Sequence, residues 1–139
     1  MNIIGDLFGP FSVSASGLTA ERLNMDLIAG NIANANTTVT PEGGPFRRHI
    51  AVFMEQYDKD GKPAGVVVDK IIRDPSELRK VYEPGNPDAD AEGYVSYPNV
   101  NVITEMVDMI AASRAYEAGA TVLENTKMIA LRTINLMNV

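Results

Sequence analysis

Two long stretches of helical periodicity enclose a middle in which short apolar runs alternate with polar residues. From Phe11 to Asn34, counting by sevens gives Phe11, Leu18, Met25 and Ile32, all large and apolar. A companion series, Ser14, Glu21, Ile28 and Ala35, is weaker, and Thr19, Glu21, Arg22, Asn24 and Asp26 supply a polar face. Pro10 suits the first helical position, where the N–H it lacks has no partner anyway.

The second helical stretch is longer. Pro98 lies before it, Asn101 is a suitable N-cap, and Glu105 sits in the first turn, where a carboxylate complements the helix dipole. Counting by sevens gives Val102, Met109, Tyr116, Leu123, Ala130 and Met137, with Met106, Ser113, Ala120, Lys127 and Ile134 as the expected partner series. Ile103, Val107 and Ile110 widen the apolar stripe near the start. Between the helices, period two predicts strands over 46–56, 65–72, 78–82 and 94–97, with a hairpin turn at Asp60-Gly61. Pro41 to Pro45 and Pro84 to Pro87 read as loops.

The organisation expected is a helical arm over 1–38, a β-rich middle over 39–99 and a second helical arm over 100–139. The fold class is α+β, with two amphipathic helices pairing as a coiled-coil-like arm. At about 1.5 Å per residue, a helix from Val102 to Met137 is roughly 54 Å long. A globule of this chain length is only roughly 37 Å across. Such a helix outruns its own globule, so its apolar stripe calls for other subunits. Phe11, Leu18, Met25, Ile28 and Ile32, with Val102, Met106, Met109, Tyr116, Leu123 and Ile134, form the candidate assembly interface. The arms are expected to gain order as they assemble.

Composition narrows the classes. With 18 acidic and 12 basic residues the chain carries a formal charge of −6, which disfavours nucleic acid and anionic membrane surfaces as partners. It contains no cysteine, hence no disulfide framework and no thiolate metal site. No apolar run reaches the length of a membrane span. Met1 to Asp6 lacks the basic region of a secretory signal peptide, so export, if it occurs, is expected by another route.

Chemistry is sparse. His49, the single histidine, stands beside Arg47 and Arg48 with no second ligand or nucleophile at useful spacing. Asp88-Ala89-Asp90-Ala91-Glu92-Gly93 matches the opening of a calcium loop, but its twelfth position is Asn99 where a bidentate Glu is required. It reads as a solvated turn. Asn36-Thr37-Thr38 is formally a glycosylation sequon. Gly17, Gly30 and Gly119 each cost a helix about 1 kcal/mol relative to Ala, which suits close helix approach, arms that become helical only on assembly, or simple tolerance. No catalytic residue, cofactor site or metal site is assigned.

The periodic segments also carry longer words. Ser14 to Arg22, containing Ser16, Gly17 and Leu18, runs on through Met25-Asp26 to Asn31, Asn34, Asn36, Thr37 and Thr38. This resembles the N-terminal signature of the flagellar rod and hook axial proteins. Tyr82 to Asp90, then Gly93-Tyr94-Val95, Pro98-Asn99, Glu105-Met106 and Ser113-Arg114-Ala115-Tyr116, resembles the proximal rod type, FlgC, within that family. One departure is Gly119, where the family carries Asn.

The resemblance implies a non-enzymatic structural subunit. It would be exported by the flagellar type III apparatus without a cleaved signal peptide and assembled in the periplasmic rod. Implied partners are further copies of itself, neighbouring rod, adaptor and ring subunits, and the export apparatus. Another axial subunit is the alternative within this class. A soluble adaptor or chaperone, dimeric with arms protected from hydrogen exchange, is the alternative outside it.

Overall fold

A computed structural model describes residues 3–137, with side-chain surroundings given for residues 9–136. Met1 and Asn2 and the side chain of Met137, used in the sequence argument, lie outside what is described. The order is α1 (Ile3–Ala33), β1 (His49–Tyr57), β2 (Pro63–Arg73), β3 (Arg79–Tyr82), β4 (Tyr94–Tyr97) and α2 (Val102–Met137). Two long helices around short antiparallel strands make the α+β architecture that the periodicities predict.

The second helix keeps its expected bounds because its start is capped: Asn101 Oδ1 accepts the Ile103 and Thr104 N–H groups at 3.0 and 3.2 Å. The first helix does not keep its expected start. It begins at Ile3, so Pro10 lies inside it. The ring leaves one carbonyl of the preceding turn without its donor, and the helix continues through that gap.

α1 and α2 run antiparallel, since Leu18 lies beside Gly119 while Asn31 bonds Glu105. Along α1 the seam follows the expected series, with Phe11, Leu18, Met25 and Ile32 half-buried and Ile28 and Ala35 buried. Along α2, Met109, Leu123 and Ala130 are half-buried. The expected partner series is displaced by one residue. Met106, Ala120, Lys127 and Ile134 are exposed and Ser113 alone of that series is half-buried, and the inward positions are Glu105, Ala112, Gly119, Thr126 and Thr133. Small residues at these places let the backbones approach. A Cβ on Gly119 would stand 3.1 Å from Leu18 Cδ2, whereas a Cβ on Gly17 or Gly30 would meet nothing within 4 Å. Close approach therefore explains Gly119, and within the chain nothing requires a glycine at the other two.

β1 and β2 form a hairpin that lies along α1. Its turn is closed by Asp58 Oδ1, which accepts the Asp60 and Lys62 N–H groups at 2.8 Å each, and Gly61 takes the left-handed conformation at φ 76°. Asp69 and Ala64 are extra residues on β2, producing two register shifts. Near His49 both faces of β1 are half-buried, and towards Tyr57 both are exposed, so strict alternation of burial is absent. Gly65 (φ 132°) meets α1 where a side chain would overlap Ser16 Oγ, and that hydroxyl accepts the Val66 N–H at 3.0 Å. β3 and β4 form a second small ribbon, whose Val95 is fully buried.

Candidate functional site

The largest fully buried side chains in the described residues include two polar ones, Glu105 and Asn31, beside Val95 and Pro98. A buried carboxylate is costly unless it is paired and hydrogen-bonded. Here it is both. The Arg48 guanidinium donates from Nε to Glu105 Oε1, and Asn31 Nδ2 donates to Glu105 Oε2 at 3.0 Å. Arg48 also reaches Asp108 at 3.2 Å and Asp74 at 3.7 Å.

Asn31 then clamps the start of β1. Its Oδ1 accepts the His49 N–H at 2.8 Å, and its Nδ2 donates to the His49 carbonyl at 2.9 Å. Asn99 does the corresponding work from the other side. Its Oδ1 accepts the Arg48 N–H at 2.9 Å, while its Nδ2 donates to the Asp74 and Ser76 carbonyls at 3.1 and 3.2 Å. The Ser76 amide, donating to Asp74 at 2.8 Å, and the Ser76 hydroxyl hold the Asp74 carboxyl below the usual carboxylate range, with Arg48 adding to the effect. The whole bracket joins α1, β1, the loop after β2, the segment before α2, and α2 itself. No buried side-chain nitrogen or oxygen among the described residues is left without a partner.

Three residues singled out by sequence words therefore meet in one place: Asn31, Asn99 and Glu105. Pro98, buried, immediately precedes Asn99. The others lie elsewhere. Asn34 closes the end of α1 by donating to the Gly30 carbonyl at 2.9 Å, and its Oδ1 accepts the Thr37 hydroxyl at 3.1 Å. Thr38 donates to Asp88 at 2.7 Å, tying α1's exit to the acidic turn, and Asn36 is exposed. Ser16 pins the hairpin, and Leu18 packs on Gly119. In the acidic turn, Asp90 Oδ1 accepts the Glu92 and Tyr94 N–H groups at 3.0 and 2.9 Å, so this carboxylate closes the turn on main-chain donors.

Arg48 was the residue that sequence reasoning passed over, noted only as a neighbour of His49. Its signal was indirect: a Glu at an inward helical position needs a cation, and the sequence gives no spacing rule for finding it 57 residues away.

Beyond the bracket, α2 faces outward with apolar side chains. Ile103 is 76% exposed, Val107 59%, Ile110 58% and Met106 54%, and further along Ile129 is 63% and Leu136 79% exposed. Of the candidate interface residues, Met106, Val102, Tyr116 and Ile134 are open to solvent, while Met109 and Leu123 face α1.

Two long helices bracketed at one end thus leave a contiguous outward apolar face, the kind of surface that marks interaction sites. Family comparison places the chain in a class of axial proteins. Residues 11–39 match the model described as flagella basal body rod protein, and residues 91–136 match the C-terminal model of the flagellar basal body rod FlgEFG proteins.

Whole-chain relatives narrow this. The chain is 44% identical to the flagellar basal-body rod protein FlgC of Borreliella burgdorferi, over 87% of this chain and 91% of the relative. It is 42% identical to FlgC of Yersinia enterocolitica, over 94% and 97% respectively. To FlgC of Bacillus subtilis it is 38% identical, over 93% and 97%. The chain belongs to the FlgC family of flagellar basal-body rod proteins.

Proposed function

We propose that the chain is a non-catalytic wall subunit of the flagellar rod, built into it through the outward faces of α1 and α2. Family membership makes it a structural rod subunit. The observation that carries the helical mode of assembly is the exposed apolar face of α2, which runs from Ile103 to Leu136 while α1 covers only the opposite side. A monomer leaves that surface in water at a cost of about 25 cal/mol per Å2. Burial between subunits removes the cost, and an interface that does not close on itself extends into a tube.

In this reading the chain reaches the periplasmic span of the basal body through the flagellar export apparatus, without a cleaved signal peptide. Its partners there are copies of itself and neighbouring rod, adaptor and ring subunits. The helical pair supplies the wall, and the β ribbons face an adjacent layer.

The test is complementation of a strain lacking its own copy with an Ile129→Asp, Leu136→Asp double variant. Both residues are exposed, so circular dichroism and urea unfolding of the purified chain are expected to stay as in the wild type. Rods and swimming are expected to be lost. Wild-type swimming by this variant would overturn assembly through the helical face.

A further inference from the structure

α2 carries two unlike features on different sides. One is a ridge of Ile103, Met106, Val107 and Ile110, each more than half exposed, ending in Arg114. The other is an open groove between α1, α2 and the hairpin, formed by two adjoining cavities of about 460 Å3 each. The cavities share Glu21 on α1, Phe53 on β1 and Ala115 on α2. We propose that the ridge of one copy seats in the groove of a second copy, giving a head-to-tail contact. This deepens the rod-subunit reading and rests on it.

Length, charge and connectivity argue for that occupant. Along α2 the groove runs from Asp108 to Val122, about 21 Å at about 1.5 Å per residue, and the ridge from Ile103 to Arg114 spans about 17 Å. The ridge therefore fits inside the groove. Gly17, with nothing within 4 Å of where a Cβ would stand, and the small Ala111 and Ala115 leave room for a helix to approach.

The charges are complementary. Arg114 makes no ion pair among the described residues, and the groove is lined by Glu21 and Asp108 together with Arg48, whose charge is taken up by Glu105 and Asp108, which leaves Glu21 as the carboxylate open to a partner's cation. Among the described residues Glu21 bonds only the Asn24 amide, at 3.3 Å, and Asp108 already shares Arg48 with two other acids. Ridge and groove belong to one straight helix, so a chain cannot fill its own groove. Because the two surfaces differ, the contact repeats without closing.

The chain has no cysteine, so Val107→Cys with Ala115→Cys gives a clean probe. The two positions lie about 12 Å apart on one helix, too far for an internal disulfide. Mild oxidation of basal bodies carrying the double variant is expected to produce a ladder of dimers, trimers and longer species. Either single variant is expected to give none.

Self-linking by Val107→Cys alone would mean a symmetric contact and would overturn the proposal. So would a link to a different protein, or recovery in basal bodies without a ladder. Absence of the wild-type chain itself from purified basal bodies would instead overturn the rod-subunit reading. If the cysteine variants fail to incorporate, charge reversal decides. Glu21→Arg and Arg114→Glu are each expected to abolish swimming and together to restore it, and failure of the pair to restore it would overturn the contact.

Discussion

Asn31 on α1 and Glu105 on α2 are joined by a 3.0 Å hydrogen bond across 74 residues of sequence, and both side chains are almost wholly buried. This bond, with Arg48, fixes where the two helices start to pair and seats the hairpin against them. A buried polar junction of this kind is expected to specify register more than to add stability.

Removing one member of that junction is expected to be costly. Arg48→Ala leaves the Glu105 carboxylate buried with Asn31 alone, and the loss is expected to be about 3–5 kcal/mol in urea unfolding. Arg48→Met combined with Glu105→Leu is expected to recover most of it, because neither charge is then stranded. An additive double variant would contradict a coupled pair.

Acid sensitivity follows from Asp74. Its carboxyl is held below the usual range by the Ser76 amide and hydroxyl first, with Arg48 contributing. A depressed folded-state value stabilises the fold above the unfolded value of about 3.9, and that contribution disappears as pH falls through the folded value. Wild-type stability is therefore expected to fall more steeply below about pH 5 than that of Asp74→Asn. Equal slopes would place the acid response elsewhere.

Gly65 has no room for a side chain. Its φ of 132° disfavours any L residue, and Ser16 Cβ would lie 3.0 Å from the added carbon. Gly65→Ala is expected to cost about 1–3 kcal/mol from backbone strain alone. Adding Ser16→Ala is expected to remove the clash with the hydroxyl but to leave the Cβ contact and the strain, giving a partial recovery in thermal unfolding. Full recovery would show that the backbone is unstrained.

Met109 and Leu123 illustrate a different consequence of the fold. Both face α1, so Met109→Asp with Leu123→Asp is expected to lower the helicity of the purified chain by circular dichroism as well as to stop swimming. Unchanged helicity with lost swimming would mean that these side chains serve neighbours and not their own chain.

Much of this architecture was legible locally. The end of one helix signal at Asn34, the Asn101 cap, the Asp60-Gly61 turn and the period-two runs all act over a few residues, and the elements fall where they point. The start of α1 was not, because Pro10 is a strong terminator in isolation and a tolerated gap inside a helix with a long packed partner. The inward series of α2 was misplaced by one residue for a related reason. Met106 and Ile134 carry the hydrophobicity, whereas the seam is lined by small or polar Ala112, Gly119, Thr126 and Glu105.

The junction itself was half legible. The sequence words contained Asn31, Asn99 and Glu105 without saying that they meet, and Arg48 carries no local signal. The outward face was legible in part as well, since Ile103, Val107 and Ile110 widen the stripe beyond what one partner helix covers.

If assembly completes this helical pair, hydrogen exchange along α2 differs between the free chain and the rod. In the free chain, amides near the junction, around 20–31 and 105–119, are expected to be protected together with the start of the hairpin. Those of α2 beyond Val122, which lie where Met128, Ile129, Leu131 and Leu136 are exposed, are expected to exchange quickly. In purified basal bodies the same amides are expected to slow to the level of the junction. Equal protection along all of α2 in both states would contradict the account, because the helix would then already be complete in the free chain.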